Sequence, residues 1–432
     1  MDIKTINSVA VNNKVISFSA IEQEPIPLAV ERKNRNGWID WGKDNLYPNY
    51  LISLTHRSAI HNAIINLKAS MIGRNGFVNA DWSPEMVQFI NNANNAKDDL
   101  EEIVAKVAID LTIFGGYALE LIWNREKTRI ATIAHIPLEN IRIAVPDENY
   151  PDAEEYYISN DWSDTRKNVP VKYAGFSTVN RKAGSQILYV KEYRAGGSYY
   201  PEPEYKAGIS LCELNAEIND FHLSTVQNQF APSQHINVPI VPQSDEERDN
   251  IVKRLKEEYR GAKKAGNVII SFSTNQDDKP TIETITMNDT DKRFKELTQW
   301  MREGIFSSHQ VNDQELLAIS TPGALGKRTE LIDSLVIFQA QYVSIKQRLI
   351  EKQLAILTRV NGLIEKLKIE RYADNIVPDI PVADLMSILT ATISDAQKVA
   401  ILITKGFNRT KALELVSSGT EAPQQNNPTS NG

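Results

Sequence analysis

Hydrophobic residues recur at intervals of three and four in several stretches of the chain, which predicts amphipathic helices. These stretches are 58–72, 100–114, 206–230, 291–306 and 325–360. The last is the longest, since about 36 residues at 1.5 Å each would form a rod of about 54 Å. Its first hydrophobic set alternates steps of four and three, as in a heptad seam: Leu331, Leu335, Phe338, Tyr342, Ile345 and Leu349. A second set widens the stripe: Ile332, Val336, Val343, Ile350, Leu354 and Leu357.

Short β-branched and aromatic runs between turn residues predict strands. In the first half of the chain they lie at 117–123, 130–133, 141–145, 156–158 and 187–193, and later at 267–272, 281–287 and 366–372. A charged helix is predicted over 245–260 and a small helical unit over 382–417. The first 55 residues read as irregular, and the polar end 419–432 reads as disordered. The pattern as a whole predicts an α+β, mainly helical fold.

Composition restricts the function classes. A chain of 432 residues is expected to fold as two or more modules. Its net charge of −7 disfavours tight binding to duplex DNA, because such binding depends on a basic excess that neutralises phosphates. The single cysteine, Cys212, allows no internal disulfide and no zinc site built on several thiolates. We expect neither a signal peptide nor a membrane span, and hence a protein without membrane contact.

Motifs of catalysis are not apparent. The stretch Gly323–Arg328 has the wrong spacing for a phosphate-binding loop, and no Gly-x-Ser-x-Gly elbow occurs. His56 and His61 lie five apart, a poor spacing for joint metal binding from one helix face. We expect the other histidines to stand alone: His135, His222, His235 and His309. The sequence therefore predicts no catalytic residue, no metal and no cofactor, although a metal-dependent nuclease built on scattered carboxylates stays open as an alternative.

From Tyr199 to Gly362 the order of elements resembles the portal proteins of tailed bacteriophages. The resemblance rests on the order and spacing of several pieces: Tyr199–Tyr205, Val226–Ser233, Leu255–Val268, Phe294–Leu297, Glu303–Phe306 and Thr321–Gly326. It covers more than a third of the chain, and the first 190 residues share only the family's general organisation. One departure is the absence of the family's Val-Pro-Pro step near Val311–Asp313.

The resemblance implies a portal fold with wing, stem, clip and crown regions that assembles as a ring, usually of twelve subunits. Mapped by element order, the wing would span 1–205, the first stem helix 206–231, the clip 232–288 and the second stem helix 289–311. The tunnel loop and long wing helix would follow over 312–380, and residues 381–432 would form a crown and a disordered tail.

The resemblance also implies a role without catalysis. The ring would occupy one capsid vertex and form the channel for DNA packaging and ejection. Its partners would be other copies of itself, the major capsid protein, the large terminase subunit, a head-tail adaptor and double-stranded DNA in the channel. The place of the protein would be the virion, after assembly in the cytoplasm of the bacterial host. The alternative is a metal-dependent nucleic-acid enzyme of the same packaging system.

Three carboxylates on the first stem helix are candidates for the channel surface. Glu213, Glu217 and Asp220 follow the spacing i, i+4, i+7 and therefore share one helix face. Repeated around a ring, they would repel phosphates and let the duplex slide. A solvated outer face is an equal alternative.

Lys327 and Arg328 are candidates for DNA contact at the tunnel loop. They lie in the predicted first turn of the long helix, where positive charge opposes the helix dipole. An external phosphate would explain that local penalty, and Gly323 and Gly326 would give the loop mobility. The alternatives are a helix that starts one turn later, or compensation by Glu330 and nearby acids.

The predicted clip carries mixed charge. Its basic residues are candidates for contact with the terminase during packaging and with the adaptor afterwards: Arg248, Lys253, Arg254, Lys256, Lys263 and Lys264. A solvated charged face is the alternative. Strands 267–272 and 281–287 could pair across subunits, which would occupy their open edges.

Overall fold

The computed structural model describes residues 8–11, 14–17, 26–78, 82–94, 98–146, 154–196, 199–227, 233–238, 244, 246–247, 249–251, 268–272, 281–285, 290–311, 313–317, 328–371, 381–405, 407 and 409–418. The helices of these ranges are α1 (Tyr47–Arg57), α2 (Ala59–Gly73), α3 (Pro84–Asn91), α4 (Leu100–Phe114), α5 (Ile209–Gln227), α6 (Thr290–Ser308), α7 (Arg328–Phe338), α8 (Ser344–Val360), α9 (Val382–Thr390), α10 (Asp395–Thr404) and α11 (Arg409–Ser418). None of these helices is both long and apolar enough to cross a lipid bilayer.

The strands form two hairpins and two larger sheets. The hairpins pair β1 (Ser8–Val11) with β2 (Lys14–Ser17) and β3 (Glu31–Lys33) with β4 (Ile39–Trp41). A six-stranded sheet has the order β6–β5–β10–β9–β8–β7 and is antiparallel except between β9 and β10. Its strands are β5 (Gly116–Trp123), β6 (Ile130–Ile136), β7 (Ile141–Ile143), β8 (Glu155–Ile158), β9 (Val171–Gly175) and β10 (Ser185–Lys191).

Strands from the predicted clip form a separate three-stranded sheet. The central strand β11 (Ser233–Val238) runs parallel to β12 (Val268–Phe272) and antiparallel to β13 (Thr281–Ile285). The sequence predicted the two outer strands and missed β11, because Pro232 was read only as the end of the preceding helix. Each predicted strand thus has a partner inside its own chain, and among the described residues no strand pairs with the outer edge of either.

The main core lies where α2 and α4 pack together beside the six-stranded sheet. Helix α4 begins at Asp99, whose side chain accepts a hydrogen bond from the backbone N–H of Glu102. It ends at Gly115, which has a φ of 83°. A side chain at Gly115 would also meet the carbonyl oxygen of Glu202 at 2.5 Å, so glycine satisfies both the turn and the close approach.

Helix α1 was missed in the sequence, where the first 55 residues read as irregular. Its hydrophobic pattern is interrupted at the start by Pro48. This proline lies in the first turn of the helix, where it removes no intrahelical hydrogen bond. Leu51 and Leu54 are fully buried, so tertiary packing supports this helix. The predicted strand over 366–372 is also wrong: within the described residues it reduces to one isolated bridge between Phe77 and Ile369.

The predicted long helix is present from Arg328 to Val360, but it is not a regular α-helix throughout. A π-helical turn at Gln339–Val343 separates α7 from α8. Such a turn inserts an extra residue, so the hydrophobic face changes at this point. Ile345 of the predicted heptad seam is consequently 52% exposed, whereas Val343, Ile350 and Leu354 of the second set are buried. The continuous heptad seam is therefore wrong for the second half of the helix.

Helices α9, α10 and α11 form a small unit with a core of its own, made of Val399, Leu402, Phe407, Ala412 and Val416. Helix α10 starts with a capping box, in which the Ser394 side chain and the Gln397 side chain each bind the other's backbone N–H. The predicted helical unit over 382–417 is confirmed.

Candidate functional site

Helices α5 and α6 form an antiparallel pair, and both helices contact α2. The start of α5 lies against the end of α6, where two glycines allow close approach. A Cβ atom at Gly208 would lie 2.1 Å from Oγ of Ser308, and one at Gly304 would lie 2.5 Å from Cδ1 of Leu211. The end of α5 leads to β11 through a short connection, and β13 leads to the start of α6 through another. The three-stranded sheet therefore falls between the two helices of the pair in chain order.

The three predicted carboxylates do share one face of α5, and this face meets a cation that the sequence analysis missed. The guanidinium of Arg57, in the last turn of α1, lies 3.2 Å from Glu213, 3.0 Å from Glu217 and 4.0 Å from Asp220. We call these four residues the acidic face. Two negative charges remain in excess, and Asp220 is the most exposed of the three acids at 69% of its side chain.

Apolar side chains on the same pair of helices are open to solvent. Trp300 of α6 is 59% exposed, and Leu223 of α5 and Leu297 of α6 are also exposed. Large apolar groups of this kind in a pair of neighbouring helices often mark a protein–protein contact. The single chain leaves them uncovered.

A group of buried charges joins α2, the segment after β10 and the long helix. The Lys346 ammonium lies 2.6 Å from Glu192 and 3.1 Å from Glu204, and Lys68 also pairs with Glu204. The Tyr342 hydroxyl donates a hydrogen bond of 2.6 Å to Glu204, and Arg194 lies 3.9 Å from both carboxylates. We call these residues the buried network: Lys68, Glu192, Arg194, Glu204, Tyr342 and Lys346.

Burial and charge oppose one another in the buried network. Burial lowers the pKa of Lys68 to about 8, against the attraction of Glu204. Burial alone would raise the pKa of Glu204, but the ammonium groups of Lys68 and Lys346 outweigh it, so this pKa is lowered. The two carboxylates therefore hold the ammonium groups of Lys68 and Lys346 in a place that water hardly reaches, with the partly exposed Arg194 beside them. The network thereby fixes the π-helical turn, through Tyr342, to the body.

Two of the histidines predicted to stand alone have buried partners. Nε2 of His309 lies 2.9 Å from Nδ1 of His61, and Nε2 of His135 lies 2.8 Å from a carboxylate oxygen of Asp110. The prediction is therefore wrong for His135 and His309. Sequence spacing gave no hint of the first pair, since 248 positions separate its members. Cys212 lies beside that pair.

Several predicted site residues lie outside the described part of the chain. Among the tunnel-loop residues these are Gly323, Gly326 and Lys327, while Arg328 is the first residue of α7 and its side chain is not described. The clip cations also lie outside it: Arg248, Lys253, Arg254, Lys256, Lys263 and Lys264. Their roles stay predictions.

One signal in the sequence could have pointed to the buried network. Lys68 follows Ile64 by four residues and precedes Ile72 by four, so it belongs to the buried face of α2. A lysine within such a face needs a partner. The identity of that partner, Glu204, depends on the tertiary fold and has no local signature.

Comparison with known proteins gives matches in structure but none in sequence: no family model and no curated protein matches the chain. A chain in the neck of the empty gene transfer agent (GTA) particle, computed with C6 symmetry, has a TM-score of 0.53 at 14% identity, over 82% of this chain and 93% of its own length. A chain in the neck of the native GTA particle, computed with C12 symmetry, has a TM-score of 0.51 at 14% identity, over 84% and 94%.

A crystal structure of an HK97-family phage portal protein from Corynebacterium diphtheriae has a TM-score of 0.47 at 12% identity, over 77% of this chain and 97% of its own length. At the identities of the two GTA neck chains, a structural likeness shows a shared fold. The predicted α+β fold is confirmed, and the chain has the fold of these neck proteins.

Proposed function

We propose that copies of this chain assemble into a phage portal, a ring at one capsid vertex through which DNA enters and leaves. The observation that carries the proposal is the helical pair α5–α6 with its terminal sheet, in a fold shared with a chain of a C12-symmetric particle neck. The resemblance of Tyr199–Gly362 to portal proteins supports it independently, because it rests on the order of sequence elements.

The regions of a portal follow from this assignment. Helices α5 and α6 would be the stem, within the expected ranges 206–231 and 289–311. The sheet β11–β13 would belong to the clip, and the unit α9–α11 to the crown. The six-stranded sheet with α1 to α4 and the long helix α7–α8 would form the wing. The outer edges of β12 and β13 would be free to pair with neighbouring subunits.

In the proposed ring, exposed apolar residues of the stem face the next subunit. Trp300, Leu223 and Leu297 lie on two helices and are uncovered in the single chain. Each contact in a ring is heterologous, so one surface of a copy meets a different surface of the next copy. The series of contacts closes after a full turn. Burial of these side chains would contribute about 1.5–3 kcal/mol for each fully covered large apolar group.

The acidic face would line the channel with less free negative charge than the sequence alone suggests. Arg57 already neutralises part of Glu213 and Glu217, so Asp220 would carry most of the free negative charge. Contact with the duplex would be weak and mostly repulsive. Lys327 and Arg328, with Gly323 and Gly326, would touch the DNA at the tunnel loop, and the clip cations would bind the terminase and then the adaptor.

The proposed ring has no catalytic role, and force for DNA movement would come from the terminase. The major capsid protein would surround it in the virion, after assembly in the host cytoplasm. Among the described residues, the group of three side chains whose metal-ligand atoms lie within 4.8 Å of one another is His61, Cys212 and His309, which contains no carboxylate. No observation therefore favours the nuclease alternative.

Electron microscopy of the purified full-length protein tests the proposal. A closed ring with a central channel, of about twelve subunits as in the C12-symmetric neck, is the expected result. The same sample should leave duplex DNA uncut in the presence of magnesium. A stable monomer at micromolar concentration, or cleavage of the DNA, would overturn the portal assignment.

Substitution of the stem aromatic sharpens this test. Trp300→Ser removes an exposed apolar group that the ring would bury, so it should shift the assembly toward smaller species in native mass spectrometry. Tyr193→Ser is the matched control, since Tyr193 is 92% exposed and lies outside the helical pair. Equal assembly of both variants would place the subunit contact elsewhere.

A further inference from the structure

Three side chains that can bind a metal ion meet where the helical pair joins the body. His61 comes from the first turns of α2, Cys212 from the first turn of α5, and His309 directly follows α6. All three are fully buried. One ring nitrogen from each histidine and the Cys212 sulfur lie within 4.8 Å of one another.

Hydrogen bonds account for most but not all of the polar atoms in this cluster. Nε2 of His309 and Nδ1 of His61 share one hydrogen bond of 2.9 Å, and Nε2 of His61 lies 3.3 Å from the hydroxyl oxygen of Thr55. That hydroxyl in turn donates to the Leu51 carbonyl oxygen. Nδ1 of His309 is left without a partner among the described residues, although it is buried. A buried polar atom without a partner is costly, and it points to a missing ligand.

We propose that His61, Cys212 and His309 bind a divalent transition-metal ion, with Zn²⁺ as the species that suits them. Two imidazoles and one thiolate form a donor set that zinc prefers. Three protein ligands suffice where a water completes the coordination of the ion. Calcium and magnesium are excluded as occupants by this donor set, because they select oxygen ligands.

Metal binding at this cluster would require the Cys212 thiol to lose its proton, which passes to solvent as the bond between sulfur and metal forms. The resulting thiolate would offset one of the two positive charges of the ion.

The surroundings hold the two rings in place. The Tyr205 ring stacks on His309 with centroids 4.7 Å apart and meets His61 edge-on at 4.5 Å. Its hydroxyl donates a hydrogen bond to the carbonyl oxygen of Ile113 at the end of α4. An ion at this point would join α2, α5 and the end of α6, and would therefore fix the base of the helical pair to the body.

Metal analysis of the full-length protein tests the proposal. After purification without chelator and dialysis against metal-free buffer, inductively coupled plasma mass spectrometry should find about one zinc ion per chain. Cys212→Ser keeps the size of the side chain and removes the thiolate, so its zinc content should fall to background. His56→Gln is the matched control, because His56 is exposed on α1 and should leave the zinc content unchanged.

Two further measurements keep the test decisive if a variant folds poorly. Replacement of zinc by Co²⁺ in the unmodified protein should give the ultraviolet charge-transfer band of a thiolate–cobalt bond. Chelation by EDTA should lower the Tm of the unmodified protein, and added Zn²⁺ should restore it. A protein with no zinc, no thiolate–cobalt band and no zinc-dependent Tm overturns the metal site, as would full zinc content in Cys212→Ser.

The proposal stands apart from the portal assignment. A ring seen by electron microscopy, in protein that contains no zinc, shows no thiolate–cobalt band and has no zinc-dependent Tm, would overturn the metal site alone. A zinc-loaded monomer would overturn the ring alone.

Discussion

The acidic face and the buried network are both built from a few charged residues, yet they differ in what surrounds them. Arg57, Glu217 and Asp220 are largely open to water, whereas Lys68, Lys346 and Glu204 are almost completely buried. Water screens the first group, and an exposed ion pair contributes about 0–1 kcal/mol. In the second group each charge depends on its partners, because water cannot replace them.

This difference separates two uses of charge in one molecule. The buried network holds α2, the segment after β10 and the π-helical turn in one arrangement. The acidic face can change its charge with little effect on folding, which would suit the channel surface proposed above. Stability and surface charge can therefore be altered independently, and the following substitutions test that separation.

Glu204→Gln should have the largest effect. It keeps the shape of the side chain but leaves Lys68, Lys346 and Arg194 with Glu192 as the remaining carboxylate of the network. Loss of one partner from a buried pair costs about 3–5 kcal/mol. Urea unfolding at fixed protein concentration should show this loss, and Glu217→Gln on the acidic face should cost less than about 1 kcal/mol. Equal losses in the two variants would contradict the distinction between the two groups.

Tyr342→Phe should have an intermediate effect. It removes the hydroxyl that donates to Glu204 at 2.6 Å and keeps the ring against Lys68 and Phe338. A hydrogen bond to a charged group contributes about 1.5–3 kcal/mol. The free energy of unfolding should fall by that amount in urea. Tyr193→Phe, at an exposed position, serves as the control and should leave it unchanged.

Glu204 should also shape the response to acid. Its pKa is lowered in the folded protein, so near pH 4 to 5 the folded state binds fewer protons than the unfolded state. Its contribution to stability is present above the unfolded pKa and is lost as the pH falls through the folded pKa. The free energy of unfolding, measured in urea over a pH series, should therefore fall less steeply with decreasing pH in Glu204→Gln than in the unmodified protein. Parallel curves would show that Glu204 is not the group responsible.

Arg57→Gln should have the smallest effect on folding. It removes the cation that lies 3.0–3.2 Å from Glu217 and Glu213, at a cost below about 1 kcal/mol. The net charge of the acidic face becomes more negative, so any binding of duplex DNA by the assembled protein should weaken, most clearly at low salt. Fluorescence anisotropy with a labelled duplex measures this. Unfolding in urea measures the cost, and a loss above 2 kcal/mol would mean that Arg57 is structural.

The sequence predicted the elements whose pattern is local. Helices α2 and α4, the strands of the six-stranded sheet near 117–123 and 187–193, and the unit α9–α11 all follow from periodicity and caps. The acid triad on α5 followed from spacing alone. Such features depend on neighbours within about one turn of helix or one strand, which the printed sequence displays directly.

Features that depend on distant residues could not be predicted in this way. Arg57 meets Glu213 across 156 positions, and His61 meets His309 across 248. The π-helical turn was also missed, since a heptad count assumes one helical repeat throughout. The chemistry of the site arises mainly from these long-range contacts, so local patterns reveal individual residues of the site but not which of them meet.

The π-helical turn at 339–343 has a consequence for how length changes affect this chain. In an α-helix each residue turns the backbone by about 100°, so deletion of one residue at this turn would restore regular winding and rotate α7 by about that angle relative to α8. The buried network holds α8 in place through Lys346. A single deletion here would therefore change the azimuth of α7 relative to the main core, while α8 keeps its contacts with the buried network.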